Sequence, residues 1–421
     1  MGRRYTHRAM AIIVQKYGGT SVGDADRIKA VARRVAETRA AGNDVVVIVS
    51  AMGKTTDDLM LLAEEVSSNL HSREMDMLLT AGERVSMALL AMAIRDQGHE
   101  AISLTGSQAG ILTDSSHGSA RIREVRAFRV KESLEAGNVV IVAGFQGVDP
   151  ENKEITTLGR GGSDTTAVAM AAYLRADVCE ICTDVDGVFT ADPRLVPGAR
   201  KLDEISFEEM LEYAAAGAGV VMTRSVEFGR RFGIPLHVRS ALDDGVGTWV
   251  KESTMEQAIV SGVAHDTSEA KVTVHGVPDR PGVAAAVFEP LAEAGVNVDM
   301  IVQNVSTAGV TDVSFTVPRQ HAAAALEIAE RVSGDLGAGG ADLDEGLAKV
   351  SVIGAGMYSY PGVASTIFTT LAEAGINIQM ISTSAVRVSC VIATERAEEA
   401  VRLLHAAFEP PVTADGAGLC E

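Results

Sequence analysis

The sequence predicts an α/β protein with a mainly parallel open sheet sandwiched by helices, followed by two ferredoxin-like βαββαβ domains. Three observations predict this fold class. Short runs rich in valine and isoleucine alternate with helical runs over the first part of the chain. An aspartate- and glycine-rich segment, 240–257, then breaks the alternation. An internal repeat with an offset of 80 residues follows it.

The first part is predicted as one α/β domain over residues 10–245, with a linker over 246–262. Alternating strands and helices favour a mainly parallel sheet that is covered on both faces. The predicted strands are 11–14, 45–49, 139–143, 178–183 and 236–239, and the predicted helices are 26–40, 56–66, 73–96, 120–135, 163–174, 207–216 and 225–232.

The second part contains two copies of one unit, predicted as domains over 263–340 and 341–421. From residue 281 to 301, 13 of 21 positions are identical to the residue 80 positions later. Each copy has the order of strand, Pro-Gly turn, helix and strand, with Gly295 or Gly375 at the left-handed position that ends the helix. This order is typical of a βαββαβ unit.

Composition excludes several classes of protein. The chain has 421 residues and a formal net charge of −19, which argues against nucleic acid or an anionic membrane as a partner. The sequence shows no run of 18 apolar residues and no secretory apolar region, so we expect a cytoplasmic protein without a membrane helix. A basic tail precedes the first predicted strand, and either Met1 or Met10 is the start.

The four cysteines, Cys179, Cys182, Cys390 and Cys420, suggest a reducing compartment. Cys179 and Cys182 have the spacing of a metal or redox pair, but they lie in a predicted strand. Residues three apart in a strand point to opposite faces. We therefore predict buried thiols at these positions.

The loop 156–166 has the sequence TTLGRGGSDTT and runs into an alanine-rich helix. Free backbone N–H groups and a partial positive charge at a helix N-terminus favour an anion there. Glycines let the backbone approach that anion, and Arg160 adds a planar fork suited to a carboxylate or phosphate. We expect the loop to hold an anionic substrate, a phosphate or both.

A second glycine loop, KYGGTS at 16–21, lies between a short apolar strand and a helix. This order is the context of a phosphate-binding loop, although the spacings of a P-loop and of a Rossmann fingerprint are both absent. Lys16 can reach a transferring phosphoryl group as a point charge.

A third polar loop, TDVDGVFTADPR at 183–194, follows the predicted strand 178–183. Ligands of open α/β sheets bind beyond the carboxyl ends of the strands, so this loop is a candidate for the same site. The spacing is not that of an EF-hand, because the closing glutamate is absent.

Five segments together resemble the amino-acid kinase family and, within it, the aspartokinases. They are VQKYGGTSV at 14–22, VSAM at 49–52, LTAGER at 79–84 and the loops 157–166 and 183–194, in the family's order. The repeats resemble ACT domains, which bind amino acids at strand–helix turns and domain interfaces. The resemblance implies that ATP with Mg²⁺ phosphorylates the side-chain carboxylate of L-aspartate to 4-phospho-L-aspartate. This reaction is the first step of the lysine, threonine and methionine pathway.

The resemblance also implies roles for residues of this chain. The implied catalytic residues are Lys16, Asp164 and Arg160, and no protein metal site is expected. The implied substrate-binding residues are Thr56, Glu83, Phe145, Arg160 and Ser163, with Glu83 accepting the substrate ammonium. The implied nucleotide-binding residues are Lys16, Gly18, Gly19, Ser50, Gly162, Thr183, Asp184, Phe189, Asp192 and Arg194. The implied allosteric residues are Asp279, Asn297, Asp299, Gln303, Asn377 and Gln379.

The implied partners are lysine and threonine as effectors and a second chain bound through the ACT domains. Met255 is a candidate internal start for a separate small subunit. The segment 357–362, MYSYPG, has tyrosines where the family commonly has a basic residue and His or Asn, and Ala385 replaces a common glutamate. These differences predict altered or weakened feedback by lysine and threonine.

One departure bears on catalysis. At 217–221 the family usually has a lysine that contacts nucleotide phosphates, and this chain has Gly219 there. Arg224 is close in sequence and could replace the missing charge. Besides a pathway aspartokinase, two hypotheses remain open: a specialised or weakly active enzyme with altered substrate or feedback, and a non-catalytic sensor of amino acids.

Overall fold

The computed structural model describes residues 10–252, 258–304 and 309–408, apart from the side chains of Tyr358 and Ser359. Three positions discussed above, Met1, the internal start at Met255 and Cys420, lie outside the described residues.

The first part of the chain forms an α/β domain around an eight-stranded sheet, in the order β10-β12-β11-β9-β1-β2-β6-β3. All neighbouring strands are parallel except β11 and β12. A smaller sheet, β5-β4-β7-β8, lies beside it. The strands are β1 Ile12–Tyr17, β2 Asp44–Val49, β3 Ala101–Leu104, β4 Ile111–Thr113, β5 Ile122–Val125, β6 Val139–Ala143, β7 Gln146–Val148, β8 Ile155–Thr157, β9 Val178–Thr183, β10 Glu204–Ser206, β11 Leu236–Ser240 and β12 Thr248–Lys251.

Helices cover both faces of the main sheet, as the apolar central strands require. They are α1 Ala25–Ala40, α2 Thr55–Val66, α3 Ser72–Asp96, α4 Phe128–Glu135, α5 Gly162–Leu174, α6 Phe207–Ala215 and α7 Thr223–Phe232. Cys179 belongs to the core on the α5 side and Cys182 to the core on the α1 and α3 side. Both thiols are buried and free, so the predicted opposite orientation is confirmed.

Helix α3, predicted from the sequence over 73–96, is long and apolar enough, by length and composition alone, to cross a membrane. In the structure it packs against α1 and the main sheet. Its buried face carries Asp76 and Glu83, whose carboxylates accept hydrogen bonds from neighbouring segments. This packing is that of a helix inside the α/β domain.

Two predictions for this domain are wrong. The first half of the predicted helix 120–135 is strand β5, which pairs with β4, and only α4 is helical. The predicted linker 246–262 contains β12, which completes the main sheet between β10 and β11. The indole of Trp249 in β12 stacks on the His237 ring at a centroid distance of 4.1 Å, which holds this strand in place.

The second part forms two four-stranded antiparallel sheets, β15-β16-β14-β17 and β13-β18-β20-β19. Its elements are β13 Gly262–Asp266, β14 Glu269–Pro278, α8 Val283–Glu293, β15 Ile301–Gln303, β16 Val310–Pro318, α9 Ala322–Leu336, β17 Ala341–Asp344, β18 Leu347–Ile353, α10 Val363–Glu373, β19 Met380–Thr383, β20 Arg387–Ala393 and α11 Ala397–Phe408. The first sheet has the predicted βαββαβ order.

The boundary predicted at 340/341 does not separate the two sheets. Strand β17 pairs with β14 of the first sheet, and β13 pairs with β18 of the second. The fourth strand of the second unit therefore comes from the segment that leaves the α/β domain. Strand β13 also contacts the α/β domain, because the Val263 N–H donates to the Thr190 carbonyl oxygen at 2.8 Å.

Helix α6 forms one of the contacts between the two parts. The buried Glu209 carboxylate accepts hydrogen bonds from Ser261 and from the Ala355 N–H (3.2 Å). The Glu212 carboxylate binds Ser384 (2.6 Å) and Arg387 (3.2 Å) of the second unit. These hydrogen bonds tie the second unit to helix α6 of the α/β domain.

Candidate active site

The centre of the candidate site is an ion pair between the end of β1 and the first turn of α5. Lys16 Nζ lies 2.6 Å from Asp164 Oδ1, and the two side chains are only 13% and 9% exposed. This contact brings the carboxyl end of β1, a central strand of the sheet, next to the N-terminus of α5. The arrangement holds an oriented ammonium next to a helix end that favours negative charge.

Glycines lie near both members of this pair along the chain, and several of them pack too closely against their neighbours to allow a side chain. A Cβ on Gly19 would lie 2.8 Å from the Ala51 carbonyl oxygen, and a Cβ on Gly161 would lie 1.8 Å from Met222 Cγ. Gly161 also has φ of +66°. Gly18 follows β1 directly, and Gly162 is the first residue of α5, packed against Leu158 and Phe145. The structure therefore places both predicted glycine loops around the Lys16–Asp164 pair.

Glu83 is a buried carboxylate with one free oxygen. Its Oε1 accepts a hydrogen bond of 3.1 Å from the Ala51 N–H, and its Oε2 is buried without a partner among the described residues. Burial raises the pKa of Glu83 to about 7. A buried acceptor without a donor is costly, and a substrate ammonium is a donor that would satisfy it.

Three of the other predicted substrate residues lie in or beside the loop between β8 and α5, and the fourth is on α2. Phe145 has φ of +68°, unusual for a bulky residue, and its N–H donates to Thr166 Oγ1 at 3.2 Å. Ser163 is buried beside Gly144, whereas Arg160 is exposed at the tip of the loop. Thr56 is half-buried in the first turn of α2.

Some of the predicted nucleotide residues lie at the carboxyl ends of β2 and β9, the two strands that flank β1. Ser50 follows β2, and its N–H donates to the Tyr17 carbonyl at 3.2 Å. Thr183 ends β9, and its hydroxyl donates to Asp184 Oδ1 at 3.1 Å. Phe189 forms a single bridge with Lys201.

Asp192 and Arg194 pair with each other beyond this bridge. Arg194 Nη2 lies 2.7 Å from Asp192 Oδ2, and these hydrogen bonds hold the pKa of the Asp192 carboxyl below its ordinary value. Ala191 and Val196, on either side of them, pack in the core of the second small sheet. The Thr190 hydroxyl lies 2.8 Å from His405 Nε2 of α11. Nothing in the local sequence pattern indicates this packing, because its partners lie far along the chain.

Gly219 has φ of +66°. A Cβ at this position would make only one contact within 4 Å, at 3.7 Å from the Gly217 carbonyl oxygen, so a side chain has room there. Arg224 does not fill the place of the missing lysine. Its Nη1 donates to the carbonyl oxygens of Ala120 (3.2 Å) and Leu158 (3.4 Å). Its guanidinium therefore anchors the base of the Arg160 loop.

Sequence reasoning missed Asp76, a buried carboxylate on α3 that is 1% exposed. It accepts hydrogen bonds from Thr157 Oγ1 (2.5 Å) and from the Gly118 N–H (3.1 Å). Its Oδ2 also lies 2.7 Å from His117 Nδ1. The sequence does hold one indication of Asp76: it lies seven residues before Glu83, which places the two carboxylates two turns apart on the same face of a helix.

All six predicted allosteric residues are exposed on the two small units. Two of them, Asp299 and Gln379, are equivalent positions of the 80-residue repeat. Asp299 Oδ2 lies 2.6 Å from Lys349 Nζ of the second unit, and Gln379 Oε1 accepts a 2.6 Å hydrogen bond from Lys271 of the first. These two positions thus form reciprocal contacts between the units. The other four are Asp279, Asn297, Gln303 and Asn377.

Comparison with known proteins agrees with this architecture. Residues 11–240 match the amino acid kinase family, and residues 272–332 and 350–408 match the ACT domain. The chain is 58% identical to an aspartokinase of Mycolicibacterium smegmatis over 405 residues, which cover 95% of this chain and 96% of the relative. An aspartokinase of Corynebacterium glutamicum is 53% identical over 406 residues, with 95% and 96% coverage.

Solved structures show the same fold. Aspartokinase III of E. coli in complex with aspartate and ADP, in its R-state, is 28% identical and superposes with a TM-score of 0.81, covering 94% of this chain and 100% of the other. The T-state complex with lysine and aspartate gives 0.72 at the same identity, covering 94% and 99%. The chain therefore belongs to the amino acid kinase family and, within it, to the aspartokinases, enzymes that phosphorylate the side-chain carboxylate of aspartate.

Proposed function

We propose that this site transfers the γ-phosphoryl group of ATP to the side-chain carboxylate of L-aspartate, giving 4-phospho-L-aspartate. The observation that carries the assignment is the free Oε2 of the buried Glu83 carboxylate. The same carboxylate is tied through the Ala51 N–H to the backbone that packs on Gly19. This connection supports a substrate ammonium bound next to the Lys16–Asp164 pair.

In this proposal the amino acid is held at both ends of its backbone. Glu83 accepts the ammonium, and Thr56 and Phe145 line the same pocket. Arg160, exposed at its loop tip, pairs with the α-carboxylate, assisted by Ser163. The side-chain carboxylate then points to the glycine loops. It is already ionised at neutral pH, so the reaction needs no general base.

Catalysis is positioning and charge stabilisation. Lys16 stabilises the transferring phosphoryl oxygens, and Asp164 holds the Lys16 ammonium in place. Backbone N–H groups of Gly18, Gly19 and Gly162 donate to the phosphate oxygens. The nucleotide side is formed by Ser50, Thr183, Asp184, Phe189, Asp192 and Arg194.

Magnesium fits this site as an ion carried with the nucleotide. The described residues contain no group of three or more His, Cys, Asp or Glu that could hold a metal. Mg²⁺ at nucleotide sites is commonly held by substrate phosphates, water and one or two carboxylates. Asp164 or Asp184 could supply such a carboxylate, and the ion would neutralise phosphate charge.

The test is ATP-dependent trapping of an acyl phosphate with hydroxylamine, with L-aspartate as substrate. We expect hydroxamate from the wild type and at least a hundredfold less from Lys16→Met, which removes the ammonium but keeps the side-chain length. No hydroxamate from folded wild-type protein would reject the proposal.

Two observations favour a second function. Gly219 stands where the family usually has a lysine, and Arg224 cannot replace that lysine because its guanidinium donates to backbone carbonyl oxygens. A nucleotide site that lacks one cation suits a weakly active enzyme of a specialised pathway, or an amino-acid sensor that does not turn over. Binding of an amino acid without hydroxamate formation would support the sensor.

We further propose the following organisation. The α/β domain is catalytic, and the two ACT units form a regulatory half that binds lysine, threonine or both and joins a second copy of the chain. An internally initiated small subunit, beginning at Met255, and a cytoplasmic location complete the proposal. Western blotting of the native gene product for full-length and short forms tests the internal start.

A further inference from the structure

We propose that Asp76 is a positioning residue that sets the geometry of the aspartate pocket, an inference that rests on the proposed function. The Asp76 carboxylate is almost fully buried yet joins three separate segments. These are helix α3, the end of strand β8 at Thr157, and the turn that contains His117 and Gly118. A buried carboxylate with several donors holds its neighbours in one fixed arrangement.

The segments that Asp76 joins form the base of the Arg160 loop. Thr157 is the last residue of β8, three residues before Arg160. Its carbonyl accepts a 2.9 Å hydrogen bond from the Ala120 N–H, so the turn and the strand end move together. A Cβ on Gly159 would lie 3.1 Å from the Gly118 carbonyl oxygen, which shows how closely the loop rests on the turn.

Arg224 is a second anchor for the same base. Its guanidinium donates to the carbonyl oxygens of Ala120 and Leu158. The loop is therefore fixed by α3 through Asp76 and by α7 through Arg224. Both anchors contact the base, and Arg160 itself remains exposed.

Helix α3 also carries Glu83, seven residues after Asp76. Seven residues span about 10.5 Å along a helix and bring the second side chain back to the same face. One rigid helix thus bears the acceptor for the substrate ammonium and the anchor for the loop that receives the α-carboxylate. Asp76 fixes the separation between these two groups, and it acts through Thr157 without touching the substrate.

The experiment compares Thr157→Val and Asp76→Asn with a matched control, Thr113→Val. Thr157→Val removes the donor to Asp76 at nearly constant shape. Thr113→Val removes another buried hydroxyl bond of the same small sheet, the 2.6 Å contact with Thr156 Oγ1. We measure KM for aspartate and for ATP, Kd for aspartate by calorimetry, and Tm.

We expect Thr157→Val and Asp76→Asn to raise KM and Kd for aspartate at least tenfold, with KM for ATP changed less than twofold. Thr157→Ser should restore the wild-type values, because it returns the hydroxyl. Thr113→Val should lower Tm and leave KM for aspartate unchanged. An unchanged aspartate Kd in folded Thr157→Val, or an equal rise in Thr113→Val, would overturn the inference.

The outcome is separable from that of the proposed function. If the wild type binds aspartate but makes no hydroxamate, the proposed reaction fails, and the calorimetric Kd values still decide the role of Asp76. If the wild type does not bind aspartate at all, both the reaction and the role of Asp76 in an aspartate pocket are rejected.

Discussion

Lys16 Nζ and Asp164 Oδ1 lie 2.6 Å apart and join the end of the central strand β1 to the first turn of α5. The two residues are 148 positions apart in sequence, yet each follows or precedes a glycine loop at the same edge of the sheet. This pair gives the site a fixed ammonium at the point where the phosphoryl group is proposed to transfer.

Replacing Asp164 with Asn should lower kcat about 100- to 1000-fold, because Lys16 then loses the charge that orients it. KM for aspartate should change little, since the pair faces the phosphoryl group. Steady-state kinetics on purified protein measure both. A change confined to KM for aspartate would contradict the assigned role.

Glu83 gives a pH prediction. Burial raises its pKa to about 7 in the free protein, and only the ionised form accepts an ammonium. The value of kcat/KM for aspartate should therefore fall about tenfold per pH unit below 7 and reach a plateau above it. Glu83→Gln should lose this acidic limb and lower the plateau about 10- to 100-fold.

The same pKa shift has a consequence for stability. A carboxyl whose pKa is raised on folding destabilises the native state increasingly as pH rises from about 4.5 to about 7. The full effect is about 3 kcal/mol. Glu83→Gln should therefore raise Tm at pH 8 and leave it nearly unchanged at pH 4.5. Equal Tm shifts at the two pH values would show that ionisation of Glu83 is not the cause.

Gly219→Lys tests the missing cation. A charged contact to phosphate contributes about 1.5–3 kcal/mol, which predicts a gain of about 10- to 100-fold in kcat/KM for ATP. A non-glycine residue in the left-handed conformation costs about 1–2 kcal/mol of folding stability. Gly219→Ala has this strain without the charge, so it should lower Tm and leave kcat/KM for ATP nearly unchanged. If the lysine variant behaves like the alanine variant, the site does not need this cation.

Lys349 is a buried cation between the two ACT units, with Nζ 2.5 Å from Glu269 and 2.6 Å from Asp299. Burial alone would lower the pKa of Lys349, but the two carboxylate charges raise it. Lys349→Met should reduce the free energy of unfolding by about 3–5 kcal/mol, because two carboxylates are left facing each other. Urea unfolding measures the loss.

A triple variant, Lys349→Met with Glu269→Gln and Asp299→Asn, is the control. Removing all three charges should restore most of the stability, since no uncompensated charge remains. A triple variant as unstable as the single one would show that packing, and not charge, sets the loss.

Feedback by lysine and threonine is predicted to be weak or altered. Ala385 lies in the turn whose Ser384 and Arg387 bind Glu212 on α6, so it sits on the contact between the two parts of the chain. Inhibition titrations with each amino acid and with both together test this. Cooperative inhibition by both at micromolar concentrations would contradict it.

Sequence alone located most of the main sheet. Strands β6 and β9 have the predicted limits, because strands buried on both faces are continuous apolar runs. The prediction failed where pairing is non-local. Strand β5 occupies the first half of a predicted helix, and β13 completes the sheet of β18 across the predicted domain boundary. No local pattern carries that information.

The site shows the same division. Lys16, Glu83 and Asp164 were predicted because they belong to recognisable local motifs. Asp76 was missed because its partner Thr157 lies 81 residues away and no local pattern links the two segments. Arg224 was named as a possible substitute for the missing lysine charge, but its contacts are with Ala120 and Leu158, which only the folded chain brings together.

The most direct test of the central claim is hydroxamate formation with L-aspartate compared with succinate, which has both carboxylates but no ammonium. The free Oε2 of Glu83 predicts that the wild type uses aspartate at least a hundredfold more efficiently in kcat/KM, and that Glu83→Gln loses most of this preference. Equal use of the two acids by the wild type, or no product from aspartate, would contradict the account.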